Sequence, residues 1–432
     1  MSFQPNPCDP GSRRQFVANA AKCWLGLGTL PLVPASAKGD SKSGIQPGGT
    51  AKRVIYLYMS GGMTHLDTFD TKPGSETQGP CESINTSVPG VQISEYFPKL
   101  AKQMHHVAAI NSLSSTQGAH QQGRYFMHTS YFVRGTIKHP DLGGWTSYFL
   151  GKEKGNLPGN VKIGGSSSGL GGGFLESKYS ALPIGDPEAG LQNSKLPRGI
   201  DGDRFARRIN RAKEMNQKFL DRYNDKQVRA YSGMYDEAVK VMKSEDLGAF
   251  DLSLEKTDVR NQYGMGRFGQ ACLLARRLVE SGVRFVEVDN GGWDTHTDNF
   301  GRVETKGREL DQALATLISD LEQRDLLKDT LIVLATEFGR TPKIVTERQN
   351  GRNHYPKAFS GLLIGGGIQG GIKYGKTDKE GREVEENPVE VPDFNATIGY
   401  ALGLPLEKDV FSPSRRPFRV AHKGKPITAL FS

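Results

Sequence analysis

The chain has 432 residues, of which 36% are hydrophobic and 24% are charged. With a mean hydropathy of −0.50, this composition excludes both wholesale disorder and a multi-span membrane protein. The 56 Lys and Arg residues exceed the 47 Asp and Glu residues, but the positive excess is spread along the chain, so we expect no nucleic-acid partner.

Residues 1–37 have the pattern of a twin-arginine signal peptide. Arg13 and Arg14 precede a mildly apolar stretch, and small residues at 35–37 follow it as a cleavage site. The apolar stretch contains glycine and proline and is too short to span a bilayer, which takes about 20 apolar residues. We therefore expect export to the periplasm or cell envelope, no stable membrane span after cleavage, and a Gly/Ser-rich linker at 38–50.

Short apolar runs then alternate with helical patterns. The first run, 53–59, is rich in β-forming residues and stops at a Ser-Gly-Gly turn, which is typical of a strand buried on both faces. Similar runs occupy 106–111, 283–289, 330–336 and 360–365, and residues 264–281 and 303–324 have helical periodicity. This alternation predicts an α/β fold, with a central mostly parallel sheet flanked by helices.

Two glycine-rich stretches interrupt this pattern. Residues 151–260 begin Gly/Ser-rich and become charged and helical, so we expect a mixed insertion or cap within a single domain spanning 51–432. The second stretch, 365–371, lies between an apolar run and another extended segment, and it predicts a hairpin turn.

Carboxylate and imidazole side chains lie close to the ends of the predicted strands. Because the carboxyl ends of parallel strands meet at one edge of a sheet, these side chains are expected to converge there. Mixed His and Asp/Glu donors suit a divalent metal, and we expect zinc, with calcium, magnesium or manganese as alternatives. The predicted ligands are His65, Asp67, Asp294, His296, Glu337 and His354.

Four of the predicted ligands also have a structural interpretation without a metal. Asp67 would cap the next helix, His296 would lie on the surface, and His354 would pack against the residues after it. Glu337 would pair with Arg340 in its own loop. Four such coincidences at one sheet edge are needed to replace a metal site, so the metal interpretation is favoured.

Three arginines lie beside these motifs: Arg124, Arg340 and Arg352. A guanidinium group presents a planar fork of donors that matches the oxygens of phosphate, sulfate or carboxylate. The pattern therefore predicts an anionic ester substrate. Hydrogen bonding of these arginines to nearby loop carbonyls is the alternative.

Several long strings in this sequence resemble a known family. IYLYMSGGMTHLDTFDTKPG, GVRFVEVDNGGWDTH, TLIVLATEFGRTPKI, GRNHYPKAFSGLLIGGGIQGG and DFNATIGYALGLP are similar to the exported bacterial family called domain of unknown function 1501, which is sulfatase-like and related to the alkaline-phosphatase superfamily. The resemblance spans nearly the whole chain after the signal peptide. It implies an alkaline-phosphatase-like fold that hydrolyses phosphate or sulfate esters at a one- or two-metal site, with Asp294, His296, Glu337 and His354 among the ligands.

The nucleophile is where the chain departs from that superfamily. The segment GAHQQGRYFMHTS places His120 near the position where a Ser, Thr or Cys is expected, so we expect His120, Arg124 and Arg340 to be catalytic and Arg352 to bind substrate. The sequence has no Cys-x-Pro/Ser-x-Arg motif, which argues against a sulfatase mechanism through formylglycine. The prediction is an exported metal-dependent hydrolase of phosphate or sulfate esters, and the alternative is a non-catalytic, metal-stabilised binding or envelope protein.

Overall fold

The computed structural model describes residues 49–165, 170–191, 202–223 and 244–431. The predicted signal peptide, 1–37, and most of the predicted linker lie outside the described residues. The strands are β1 (Arg53–Tyr58), β2 (Ser83–Asn85), β3 (Gln92–Ser94), β4 (Val107–Ser114), β5 (Asn160–Ile163), β6 (Leu182–Ile184), β7 (Phe285–Asp289), β8 (Thr330–Ala335), β9 (Gly339–Arg340), β10 (His354–Tyr355), β11 (Phe359–Ile364), β12 (Ile372–Tyr374), β13 (Lys376–Thr377), β14 (Val384–Glu386), β15 (Val389–Glu390), β16 (Val410–Phe411) and β17 (Pro417–Phe418). The α-helices are α1 (Pro98–Ala101), α2 (His120–Thr129), α3 (Leu142–Leu150), α4 (Gly202–Tyr223), α5 (Thr257–Tyr263), α6 (Arg267–Glu280), α7 (Asn299–Gln323) and α8 (Val391–Ala401).

The central sheet has the strand order β12-β4-β11-β8-β1-β7-β5-β6, with β15 also pairing with β4. Strand β1 pairs in parallel with both β7 and β8, and β5 continues the parallel pairing outward to β6. Only β11 runs against its neighbours in this sheet. The predicted α/β fold with a mostly parallel central sheet is therefore confirmed.

The predicted hairpin at 365–371 is wrong. Strands β11 and β12 do not pair with each other, because β4 lies between them and pairs antiparallel with β11 and parallel with β12. A strand that arrives from more than 200 residues earlier in the chain thus separates two segments that are close in sequence.

Helices cover both faces of the sheet. Alternate residues of β1 point to opposite sides: Ile55 and Leu57 pack in one core with α1, α6 and α7, whereas Val54 and Tyr56 pack in the other with α2, α3 and α8. All six β1 residues are buried, which explains why the sequence of this strand is apolar without alternation.

The glycine-rich stretch 151–260 contributes in part to the sheet itself. Strands β5 and β6 lie within it and form one edge of the central sheet, so this part is not a cap. Within the parts of the chain that the structure describes, no helix combines the length and apolarity that a membrane crossing needs.

The side chain that caps α3 is expected to make stability depend on pH. Asp141 accepts a hydrogen bond from the Gly144 N–H at 2.7 Å, and burial together with nearby Glu287 raises the pKa of Asp141 from 3.8 to about 6. A carboxyl group with a raised pKa destabilises the folded state when it ionises, so this cost is absent below about pH 4 and complete above about pH 6.

We therefore predict that Asp141→Asn becomes more stable relative to wild type as the pH rises from 4 to 7. The gain is up to about 3 kcal/mol at about 1.4 kcal/mol per pKa unit, because asparagine keeps the cap without the charge. Denaturation midpoints of both proteins across this pH range test the prediction. A difference that does not change with pH would contradict it.

Candidate metal centre

Four side chains converge at the carboxyl edge of the central sheet. The ligand atoms of His120, Asp294 and His354 lie within 4.8 Å of one another. His296 Nε2 lies 3.0 Å from His354 Nε2 and 3.3 Å from Asp294 Oδ1. These four residues form the His–Asp centre.

Three separate segments bring these residues together. His120 is the first residue of α2, Asp294 and His296 lie in the loop between β7 and α7, and His354 lies on β10, paired with Arg340 of β9. The loop before β10 packs so closely against the loop after β7 that a Cβ at Gly351 would collide with the His296 carbonyl. Glycine is required at that contact.

Each imidazole of the centre is anchored through Nδ1 to an oxygen atom. His354 Nδ1 donates to the Gly118 carbonyl at 2.9 Å, His296 Nδ1 to Asn353 Oδ1 at 3.0 Å, and His120 Nδ1 to Glu337 Oε1 at 2.8 Å. These donations place the proton of each neutral ring on Nδ1 and leave the Nε2 lone pair facing inward. Nδ1 donation of this kind is how proteins orient metal-binding histidines.

The inward atoms have the spacing of ligands around one ion. Asp294 carboxylate oxygens lie 3.3 Å from His120 Nε2 and 3.5 Å from His354 Nε2. Two ligand atoms about 2.0–2.1 Å from a tetrahedral zinc ion are about 3.4 Å apart. Within the described residues, His120 Nε2 is buried without a hydrogen-bond partner, and two neutral rings cannot hydrogen bond through facing Nε2 atoms. The donor set therefore fits a divalent cation.

Arg340 fixes the carboxylate of Asp294. Its Nη2 lies 2.5 Å from Asp294 Oδ1, while its other nitrogen atoms donate to the Gly62 and Arg352 carbonyls. Partial burial alone would raise the pKa of Asp294, but the Arg340 hydrogen bond and charge outweigh it and hold this pKa below its ordinary value. Asp294 is thus an ionised donor at neutral pH.

Glu337 stands behind His120 rather than beside the other donors. Its Oε1 accepts from His120 Nδ1 and from the Gly61 N–H, and its Oε2 accepts from the Tyr58 hydroxyl at 2.9 Å. Burial works to raise the pKa of Glu337, yet the His120 hydrogen bond and the other donors lower it overall. The same bond raises the pKa of His120. Glu337, which the sequence suggests as a ligand, orients a ligand in this geometry.

His65 and Asp67 belong to a different buried cluster. Asp67 forms an ion pair with Arg352 at 2.9 Å and accepts from Asn299 at 2.9 Å, and His65 Nε2 donates to the Gly381 carbonyl. Neither residue joins the His–Asp centre, which differs from the sequence-based expectation, because their polar atoms are directed toward partners on the other side of the loop.

Arg352 and Arg124 each pair with a carboxylate that is not part of the His–Asp centre. Arg352 is fully buried, and it donates to Asp67, the Thr77 carbonyl and two carbonyls of its own loop. Because its guanidinium group is not exposed, Arg352 does not make the substrate contact that the sequence predicts. Arg124 Nη2 lies 2.5 Å from Asp289 Oδ2. Their carboxylate partners neutralise both arginines.

Sequence reasoning overlooked the anchors of the imidazoles. Asn353 directly precedes His354, but its oxygen binds His296 from another loop, and the Gly118 anchor is a backbone carbonyl that no residue type reveals. His120 was expected near a nucleophile position, whereas its Nε2 points to Asp294. The asparagine next to His354, in the string Arg352-Asn353-His354, was the local sign in the sequence of a polar anchor for an imidazole.

The comparison with known families agrees with the motifs. Residues 51–431 match the family described as protein of unknown function (DUF1501), so the chain belongs to this family, and the membership that the motifs predicted is confirmed. No curated protein sequence matches the chain.

Solved structures of similar shape include three enzymes. The lipoteichoic acid synthase LtaP of Listeria monocytogenes is 9% identical at a TM-score of 0.40, over 91% of this chain and 79% of its own. The PsFucS1 sulfatase of a Pseudoalteromonas species is 13% identical at 0.41, over 88% and 72%. The alkaline phosphatase of the Antarctic bacterium TAB5 is 13% identical at 0.32, over 74% and 92%. Likeness at these values does not establish a function for this chain.

The Asn353 anchor gives a prediction about metal affinity. Asn353→Leu removes the oxygen that orients His296, so zinc affinity should fall about 10–100-fold. Asn353→Asp keeps an acceptor and should stay closer to wild type than the leucine variant. Competition with a chromophoric chelator measures both affinities, and thermal unfolding of the metal-free proteins checks that the variants fold. Equal zinc affinity of wild type and Asn353→Leu would show that the anchor has no effect.

Proposed function

We propose that this protein is a metal-dependent hydrolase of phosphate or sulfate esters, and that His120, Asp294, His296 and His354 hold its divalent ion. The observation that supports this most directly is the inward arrangement of three Nε2 lone pairs around an ionised carboxylate. His120 Nε2 lies 3.3 Å from Asp294 Oδ2 and makes no hydrogen bond to any described residue.

Zinc is the ion that this donor set favours. Three imidazoles and one carboxylate match its preference for nitrogen donors and four ligands, whereas calcium and magnesium prefer sites built mainly from oxygen. When bound, such an ion supplies Lewis acidity, because it withdraws electron density from an ester oxygen.

The charges around the centre support an anionic substrate. Arg340 and Arg302 offset the negative charges of Asp294 and Glu337: Arg340 binds the Asp294 carboxylate and Arg302 the Asp294 backbone carbonyl. With neutral imidazoles, a divalent ion leaves the centre net positive. An ester that carries phosphate or sulfate charge is thereby attracted, and a neutral ester gains nothing from this field.

The centre is open on the side that a substrate must reach. The side chains of Asp294 and His120 are 46% and 38% exposed, although Glu337 behind them is 2% exposed. The rigid anchors thus lie beneath the donors and the donors face solvent. Hydrolysis there would break the bond between the ester oxygen and phosphorus or sulfur, with water supplying a hydroxyl group to the acid and a proton to the alcohol.

Export is part of the proposal. The Arg13-Arg14 pair and the small residues at 35–37 support secretion by the twin-arginine route. The protein would then act in the periplasm or cell envelope, and the twin-arginine route fits a protein that acquires its ion before export.

Metal analysis combined with turnover tests the proposal. Tag-free protein should contain about one divalent ion per centre, and it should hydrolyse at least one member of a panel of phosphate monoesters, diesters and sulfate esters. Asp294→Asn and His296→Ala should each lower kcat/KM by about 100-fold or more, since the ligands act as a unit. Chelation should abolish turnover and added zinc should restore it.

His105→Ala is the matched control, because His105 is an exposed imidazole outside the centre and its loss should change neither metal content nor turnover. Protein without stoichiometric metal, or turnover that survives complete chelation, would refute the proposal. Metal binding without turnover of any ester would instead favour a binding or envelope role on the same scaffold.

A further inference from the structure

A cavity of about 420 Å³ lies at the end of β7, the strand whose following loop carries Asp294 and His296. Its strand side is formed by Gly164 and Gly165 after β5 and by Asp289, Asn290 and Gly291 at the end of β7. Helices α6 and α7 form the opposite side. Its volume lies within the range of small-molecule sites, about 300–1,000 Å³. The name β5–β7 cavity is used for it.

Hydrogen bonds and one ion pair connect the wall of the β5–β7 cavity to residues next to the centre. Asp289, on its wall, accepts from the Ser60 hydroxyl at 2.9 Å. The residue after Ser60, Gly61, donates to Glu337, which accepts from His120 of the centre. Asp289 also pairs with Arg124, which lies one turn after His120 on α2, a separation of about 6 Å along the helix axis. The cavity wall is therefore linked to the surroundings of the centre through Ser60, Gly61 and Arg124.

The charges in the cavity largely cancel. Asp289 is neutralised by Arg124, and Lys306 Nζ lies 2.8 Å from Glu309 Oε2. Arg267 retains its charge and donates to the Gly185 carbonyl. A second phosphate or sulfate group would find two carboxylates here and little net attraction. The cavity is thus suited to the uncharged part of a molecule.

Hydrogen-bonding groups nevertheless crowd the walls. The Lys306 ammonium group has three donors and directs two of them to Asn290 Oδ1 and Glu309 Oε2. One donor of Lys306 and the second carboxylate oxygen of Glu309 therefore remain for a ligand. Among the described residues, the one hydrogen-bond partner of Asn290 Nδ2 is the Met59 sulfur, 3.8 Å away. Donors beside acceptors match hydroxyl groups, each of which donates and accepts, while Ile163, Pro187, Phe268 and Ala271 supply apolar surface.

We propose that the β5–β7 cavity binds the hydroxyl-rich alcohol part of the substrate, so that the substrate class is a sugar or polyol phosphate or sulfate. The inference rests on the proposed function, because the ester group itself is assigned to the His–Asp centre. An acyl chain does not suit these walls, since it would leave the lysine, glutamate and asparagine groups desolvated without partners.

Specificity ratios test the cavity. In Lys306→Met/Glu309→Gln, kcat/KM for hexose 6-phosphates and hexose 6-sulfates should fall at least tenfold more than kcat/KM for 4-nitrophenyl phosphate and sulfate, mainly through KM. The matched control is Arg308→Met/Glu304→Gln, which removes an exposed ion pair from the same helix and should change neither value. Equal losses on both kinds of ester, or no loss on sugar esters, would overturn the proposal.

A second measurement separates this proposal from the proposed function. Saturation-transfer NMR of the metal-free full chain with glucose, galactose, mannose and glycerol should detect binding in wild type and in the control, and less in Lys306→Met/Glu309→Gln. If no ester is hydrolysed but this pattern holds, the hydrolase proposal fails and the cavity assignment stands. If none of the four probes binds wild type, the cavity assignment is wrong whatever the centre hydrolyses.

Discussion

Three imidazoles are held at Nδ1 so that their Nε2 atoms face one carboxylate, and the chemistry proposed for this protein depends on that constraint. A histidine ring without a fixed partner rotates and exchanges its proton between nitrogens. Here Glu337, Asn353 and the Gly118 carbonyl each accept from one ring. The anchors come from three different parts of the chain, so the centre exists only once the whole sheet edge has formed.

The turn after β1 supports this arrangement from below. Gly61 and Gly62 have positive φ angles of 119° and 79°, and their carbonyls accept from Arg340 while the Gly61 N–H donates to Glu337. A Cβ at Gly61 would collide with the backbone of Asp294. A buried guanidinium is costly unless its donors are satisfied. The glycine turn provides those acceptors and so places Arg340 against Asp294.

More of the fold than of the His–Asp centre could be predicted from the sequence. The apolar runs at 53–59 and 330–336 became β1 and β8, because strands buried on both faces must be apolar throughout. The strand-end rule also led to Asp294, His296 and His354. It did not separate ligands from residues behind them: Glu337 and Asp67 both follow strands, but one orients His120 and the other pairs with Arg352. That distinction depends on where a loop from elsewhere in the chain packs, and local spacing does not encode it.

Helix α2 links the centre to the interior through a row of polar contacts. His120, Arg124 and His128 are spaced four residues apart and therefore share one helix face. They contact Glu337 at 2.8 Å, Asp289 at 2.5 Å and Glu287 at 3.1 Å, in that order. Buried ion pairs add little stability compared with apolar packing of similar volume. The main effect of these contacts is therefore to fix the position of the helix. Three contacts along one face restrict rotation of the helix about its axis and so help to hold His120, its first residue, in place.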